Sequence, residues 1–519
     1  MLKRSELFVS CCALVVVLFL SSCAVFDPFA GAYSDTDENV GLYQSDLELD
    51  LKNYEGPARN PVIVIHGFMG SKIRSRDLKH NVWGKFTGFQ VTGGFSDAYL
   101  ERLSYPMAVG KTLSELKDDA KAYEMMKDAN IRLFGVTIDQ SAYRDMLDIL
   151  ISKGFIPKDQ MKEKKKKFPS LYTFFYDWRR NNVQNAQQLY RFIKKKRKEL
   201  QEKYEELYGI KNFDVKFNIV GHSMGGMITR YMLMYGDQPL PEKGPMPKAD
   251  WRGSKYVERA VIVGTPNLGF LNVPFEMTKG LSIAKGVPAF PPAVIGTWAT
   301  YYQMLPFPCL KAVKYADDPD GVAVDLYDPQ VWIDMKWGLA DPKQDKYLKF
   351  LLPNIKTPEA RRKIALDHMS KCLKKAKQFS QALQVNSKKP DNLALFLFLG
   401  DSVPTRKTAV VDRKTGELKL THMDGGDGVV LTVSARMDTK EETPELPFQS
   451  SPVGWHSVVH LNAAHMGITE TTGFGDNITY YLMLLPVSDS EKRRDYLKRT
   501  LHNSKEYMKY FKNYNKEYK

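Results

Sequence analysis

The sequence predicts an α/β fold: a mostly parallel sheet covered on both faces by helices and interrupted by two long insertions. Three observations carry this. Short apolar runs recur at 61–67, 171–178, 213–220, 256–264, 393–400 and 457–461. Runs of that length that are continuously apolar, rather than alternating, mark strands buried on both faces. They are separated by helix-like stretches, above all the Lys-, Glu- and Leu-rich segment 183–208, which is the rhythm of a parallel sheet with helical crossovers. Finally, 71–169 and 270–391 break the rhythm, and each is too long for a simple loop without structure of its own.

In chain order, the first element lies outside the fold. Lys3 and Arg4 precede an uncharged apolar run over 7–20, closed by Leu20-Ser21-Ser22-Cys23. Basic start, apolar centre and small residues form the pattern of a secretory signal peptide over 1–22, too short for a stable membrane span. Cys23 at the cleavage point resembles the lipobox of bacterial lipoproteins. That resemblance implies acylation of Cys23 and a lipid-anchored protein of the cell envelope, on a periplasmic or outer-membrane face. The formal net charge of +15 becomes about +14 once 1–22 is removed. Such an excess fits the headgroup plane of a membrane, and no nucleic-acid motif accompanies it. Basic runs stand at 164–167, at 194–198 and in the tail after Glu491.

The expected partition follows from these elements. Residues 23–56 form a tether and first strand, and 57–269 the first part of the core. Within that part, 71–169 is a lid or membrane-proximal insertion. Residues 270–391 form a cap, 392–486 the second part of the core, and 487–519 a basic tail. The cap carries Pro288, Pro291, Pro292, Pro306 and Pro308 amid aromatics. Phe290, Trp298, Tyr301 and Tyr302 are expected at a lipid interface, opening a path to the site. Cys309 and Cys372 permit a disulfide that the sequence does not establish. No zinc-type His/Cys spacing and no Walker-type loop calls for a metal or nucleotide cofactor.

The chemistry is announced by Gly221-His222-Ser223-Met224-Gly225, between the run 213–220 and the helix-like 226–234. Strand, Gly-x-Ser-x-Gly, helix is the nucleophile elbow of α/β-hydrolases. Small residues let the chain turn sharply and leave Ser223 Oγ exposed at the sheet's end, with the Met224 N–H at the helix start. A serine hydroxyl needs a base and an orienting carboxylate, in the chain order Ser, Asp or Glu, His. Asp427, in Gly426-Asp427-Gly428-Val429-Val430, is the candidate acid, because this turn resembles the Asp-Gly-Leu-Val turn of bacterial lipases. Asp424 is its rival. His465, in a loop after the last strand, is the candidate base, and His460, inside that strand, is the alternative. His66 and His222 read as supports of neighbouring loops, His368 and His422 as surface residues. The two oxyanion donors expected are the N–H groups of Met224 and of Phe68, the latter in His66-Gly67-Phe68-Met69-Gly70.

These pieces together resemble the lecithin:cholesterol acyltransferase family. They are 61–71 followed by Trp83, then Tyr176-Asp177-Trp178-Arg179, Gly-His-Ser-Met-Gly-Gly, Gly264-Thr265-Pro266, Asp427 and His465. The resemblance implies acyl transfer from (phospho)glycerolipid esters through an acyl-serine, with a lid and a membrane-binding subdomain, and membrane lipids as substrate and surface. The chain departs from the animal enzymes in two places: His66-Gly67 replaces their Pro-Gly, and no cysteine between Cys23 and Cys309 can form their lid disulfide. Two other readings stand beside it: a carboxylesterase for soluble esters, and a non-catalytic surface lipoprotein on the same scaffold.

Overall fold

The apolar runs pair into one six-stranded sheet. Its strands are β1 (Val62–Ile65), β2 (Leu171–Phe174), β3 (Phe217–His222), β4 (Val257–Val263), β5 (Ala394–Gly400) and β6 (Ser457–Leu461). The spatial order is β6-β5-β4-β3-β1-β2, and all five pairings are parallel. These features come from a computed structural model, which describes residues 56–57, 59–84, 95–133, 136–141, 143–282, 288–438 and 451–484. Cys23, the apolar segment before it, the tether to residue 55 and the tail after 484 lie outside the described residues.

Side-chain alternation explains why these runs are apolar throughout. Ile63, Ile65, Ile219, Ile262, Leu395 and Leu397 enter one core, while Val62, Val64, Val220, Val261, Phe396 and Phe398 enter the other. Successive residues of a strand point to opposite faces, so a sheet covered twice needs both sets apolar. Each such side chain, fully buried, contributes roughly 1.5–3 kcal/mol against leaving it in water. The first face is covered by α1 (Asn182–Tyr208), α2 (Met224–Tyr235) and α3 (Pro358–Gln384). Every residue of α2 is buried, which is why it is mostly apolar; its polar exceptions are bonded, Thr229 to Gly225 O and Arg230 to Asn267 and Leu383 O. Against the second face lie Met146, Leu147 and Leu150 of the helix Arg144–Ser152, with Phe474 and Ile478 of the helix Thr472–Thr479.

Two strands are shorter than the apolar runs suggest. β2 stops at Phe174 because β1, its neighbour, ends at Ile65, the residue paired with Phe174. β3 begins at Phe217, since the Val215 N–H bonds back to Phe213 O in a local turn. A further element has no counterpart in the expectation of one sheet. Val403–Val411 and Leu418–Gly426 form an antiparallel hairpin, joined by the short strand Val313–Tyr315. Asp412, which accepts from Lys414 and Thr415 N–H, and Gly416 at φ 71° make its turn.

Two expectations about surfaces are corrected. Phe290, Trp298, Tyr301 and Tyr302 are 0–2 % exposed. They pack inward: Trp298 lies 5.1 Å from Trp178 and Tyr302 5.6 Å from Trp332, ring to ring. His368 is no surface residue either. It faces inward from α3, with Nε2 3.0 Å from Thr297 O, and burial lowers its pKa to about 4. Its partner one turn on, Cys372, is a buried free thiol, and Cys309 is free and exposed. The basic run 194–198 lies on α1, where Lys196, Arg197 and Lys198 pair with Glu199, Asp214 and Glu202.

Candidate active site

The turn after β3 is strained where the sequence pattern asks for it. Ser223 sits at φ 53°, ψ −128°, and α2 begins at the next residue. A non-glycine residue at positive φ persists only when its surroundings hold it. Here the Ser223 N–H bonds to Val263 O at 2.7 Å, and Thr265 Oγ1 donates to Ser223 O at 2.8 Å. Gly225 is required by contact rather than by φ: a Cβ there would lie 2.5 Å from His66 O.

Three elements distant in sequence meet at Ser223. His465 Nε2 lies 2.9 Å from Ser223 Oγ, and His465 Nδ1 lies 2.8 Å from Asp427 Oδ2. Asp427 follows the hairpin strand Leu418–Gly426 and is 2 % exposed. Its other carboxylate oxygen accepts from Val429 N–H at 2.9 Å and Val430 N–H at 2.7 Å. Burial pushes this carboxyl up, but His465 and the two amides outweigh it and hold the pKa below the ordinary value. The His465 N–H also bonds to Asp427 O at 2.9 Å, so acid and base share a backbone tie.

The rivals are elsewhere. Asp424 lies on the exposed hairpin and pairs with Lys407 at 2.7 Å. His460 pairs with Asp401 at 2.9 Å, with its side chain 40 % exposed.

The loop after β1 closes the site from the other side. A Cβ on Gly67 would lie 2.7 Å from Ser223 Cβ, so the loop touches the elbow directly. Phe68, the next residue, packs its ring against Trp178, Tyr301 and Trp298 at 5.0, 5.1 and 5.9 Å. His66 stacks on Tyr176 at 4.1 Å, and Tyr176 Oη donates to His66 O at 2.6 Å. Burial lowers the His66 pKa to about 3, so it is neutral and its Nδ1–H donates to Gly67 O.

Behind this loop, Trp178 Nε1 donates to Ser71 O at 3.3 Å. Arg179 is fully buried between Asp177 and Asp118 and also donates to Ser104 O at 3.1 Å. Tyr176, Asp177, Trp178 and Arg179 thus brace the Phe68 loop and bind it to the insertion. No pattern singled out Tyr143, which accepts from Gly67 N–H at 2.7 Å and lies 3.2 Å from His222 Nδ1. Thr300, also missed, places Oγ1 2.9 Å from Met224 Sδ. Among the described residues, no group of three or more His, Cys, Asp or Glu could hold a metal ion.

A serine oxygen, an imidazole and a buried carboxylate in sequence can move a proton from the serine and return it to a leaving group. Known proteins place the frame. Residues 138–289 match the family model of Lecithin:cholesterol acyltransferase. A chain in the crystal structure of the Tle4–Tli4 complex is 15 % identical, with 82 % of this chain and 98 % of that one covered and a TM-score of 0.54. Lipase 1 from Pelosinus fermentans is 13 % identical over 82 % of this chain and 99 % of its own, with a TM-score of 0.31. EstA from Clostridium botulinum is 15 % identical over 84 % and 89 %, with a TM-score of 0.28. No curated protein matches the sequence. The family match supports a hydrolase or acyltransferase. The chain has the α/β-hydrolase fold, and its residues 138–289 are similar to the lecithin:cholesterol acyltransferase family.

Proposed function

We propose that this protein is a serine-dependent acyl hydrolase or acyltransferase of (phospho)glycerolipid esters, working through an acyl-serine. The observation that carries the reading is the Ser223–His465–Asp427 chain of contacts at 2.9 and 2.8 Å. His465 Nε2 takes the Ser223 proton as Oγ adds to the ester carbonyl. Asp427 holds the imidazole by Nδ1 and stabilises the imidazolium. The oxyanion is met by the N–H groups of Phe68 and Met224, each such donor being worth about 3–4 kcal/mol. The tetrahedral intermediate collapses, the ester C–O bond breaks, and His465 gives its proton to the departing alkoxide. Water or an alcohol, deprotonated by His465, then attacks the acyl-serine. Water gives a free acid and alcohol a new ester, and Ser223 recovers its proton.

The lipid surface is part of the same proposal. Leu420 and Met423 are 41 % and 47 % exposed on the hairpin that leads to Asp427, with Lys407 and Lys419 beside them. A basic chain with an apolar projection fits an anionic bilayer. Acylated Cys23 would hold it at the cell envelope, and a Cys23→Ser variant that still carries lipid rules that out. The test of function is product analysis after incubation with phospholipid vesicles, with and without a long-chain alcohol. Free fatty acid and lysolipid are expected, or a new ester when the alcohol is present. Intact phospholipid alongside rapid cleavage of a short soluble ester would instead establish the carboxylesterase reading.

A further inference from the structure

The first insertion sends one side chain between the two halves of the site. Tyr143, just before the helix Arg144–Ser152, is 4 % exposed. Its hydroxyl accepts from Gly67 N–H at 2.7 Å and lies 3.2 Å from His222 Nδ1. His222 Nε2 lies 3.2 Å from the carbonyl oxygen of His465. A carbonyl can only accept, so Nε2 carries the proton and Nδ1 of the neutral ring is the acceptor. The direction of every bond is then determined. Gly67 N–H donates to Tyr143 Oη, Tyr143 O–H donates to His222 Nδ1, and His222 Nε2–H donates to His465 O.

We infer that Tyr143 and His222 form a positioning relay that ties the oxyanion loop to the loop of the base, resting on the assignment of Ser223 and His465 proposed above. Two consequences follow. Gly67 N–H is already engaged, so it is not the amide of this loop that faces developing charge, which agrees with the choice of Phe68 N–H. And His465 is held by its backbone at both ends: its N–H by Asp427 O, at 2.9 Å, and its carbonyl by His222.

The relay stays neutral over the working range. Burial, then the neighbouring His465, brings the His222 pKa down to about 3, and burial holds the Tyr143 phenol above its ordinary value. Gly67 packs closely on the phenol: a Cβ there would stand 3.2 Å from Tyr143 Oη. Nor is Tyr143 merely filling space. Its ring lies edge-on to His222 at 5.6 Å, a contact that phenylalanine would keep. The hydroxyl alone makes the connection.

The test uses the full chain and a short soluble ester, with phosphonylation of Ser223 as a second readout. Tyr143→Phe removes one oxygen. Its kcat should fall roughly 10–100-fold while KM stays within about threefold, and phosphonylation should slow in parallel. His222→Leu should fall by a similar factor. His222→Gln, whose amide can accept from Tyr143 and donate to His465 O, should recover most of that loss. If the relay is one unit, Tyr143→Phe with His222→Leu together should be no worse than the worse single variant. Single variants within about twofold of the wild type, or losses that multiply in the double variant, overturn the inference. Should Tyr143→Phe fail to fold, the His222→Leu and His222→Gln pair decides by the same criterion. A Ser223→Ala protein that still labels would instead sink the underlying assignment, so the two failures are distinct.

Discussion

Two histidine–carboxylate pairs stand near the same end of the sheet, with contacts of almost equal length. His465 Nδ1 is 2.8 Å from Asp427, and His460 Nδ1 is 2.9 Å from Asp401. Their surroundings separate them. The side chains of His465 and Asp427 are 13 % and 2 % exposed, those of His460 and Asp401 40 % and 39 %. In water such a pair gains little, because solvent screens it and holding both groups in place costs entropy. In the buried pair, two amides fix the Asp427 carboxylate, a backbone bond fixes the His465 main chain, and the far ring nitrogen reaches Ser223. Distance alone therefore does not single out a candidate base; a third partner and a dry, braced setting do.

The sharpest way to break this comparison is to remove the members of the buried pair. Ser223→Ala and His465→Ala should each lower kcat by about 10⁴–10⁶-fold, and the double variant should be no worse, since such groups act as a unit. Fluorophosphonate labelling should vanish with Ser223→Ala. An active His465→Ala beside an inactive His460→Ala would reverse the assignment. Asp427→Asn comes next, at roughly 10³–10⁴-fold, because an amide holds the imidazole in the wrong tautomer. Asp424→Asn should leave kcat within about threefold, as expected of an exposed pair with Lys407.

Stability sharpens the contrast further. The Asp427 pKa is depressed in the folded protein, so its contribution is present above the ordinary carboxylate pKa and is lost as pH falls through the folded value. Denaturant titrations should show the stability gap between wild type and Asp427→Asn closing as pH drops below about 4. A gap unchanged down to pH 2 would mean that the ionised form is not what the fold favours. The smallest effect belongs to the exposed pair. His460→Ala and Asp401→Asn should change stability by under about 1 kcal/mol and kcat by less than about threefold.

What could be seen in advance was local. The six strands of the sheet, five of them buried and β6 a half-exposed edge, the long helix after β2 and the elbow at Ser223 each depend on a few consecutive residues, whose period and turn chemistry are written in order. Asp427 and His465 could be ranked above Asp424 and His460 from the kind of turn each occupies. The hairpin carrying Asp427 left a fainter signal, an alternating run on either side of the Asp412–Gly416 turn, easily mistaken for a loop between core strands.

By itself, then, the sequence determined the sheet, the elbow and the candidate nucleophile, because periodicity and steric need act over a few residues. Only the tertiary structure decided the rest. Phe290, Trp298, Tyr301 and Tyr302 are apolar enough for a lipid surface, yet they pack into the fold, three of them within an aromatic cluster around Phe68 and Trp178. Nothing in their own composition tells one surface from the other. Tyr143 lies in an insertion, outside any motif, and becomes part of the site because the helix Arg144–Ser152 covers the sheet face beneath the elbow. Contacts between residues so far apart in the chain depend on how whole elements pack, and that packing has no local signature.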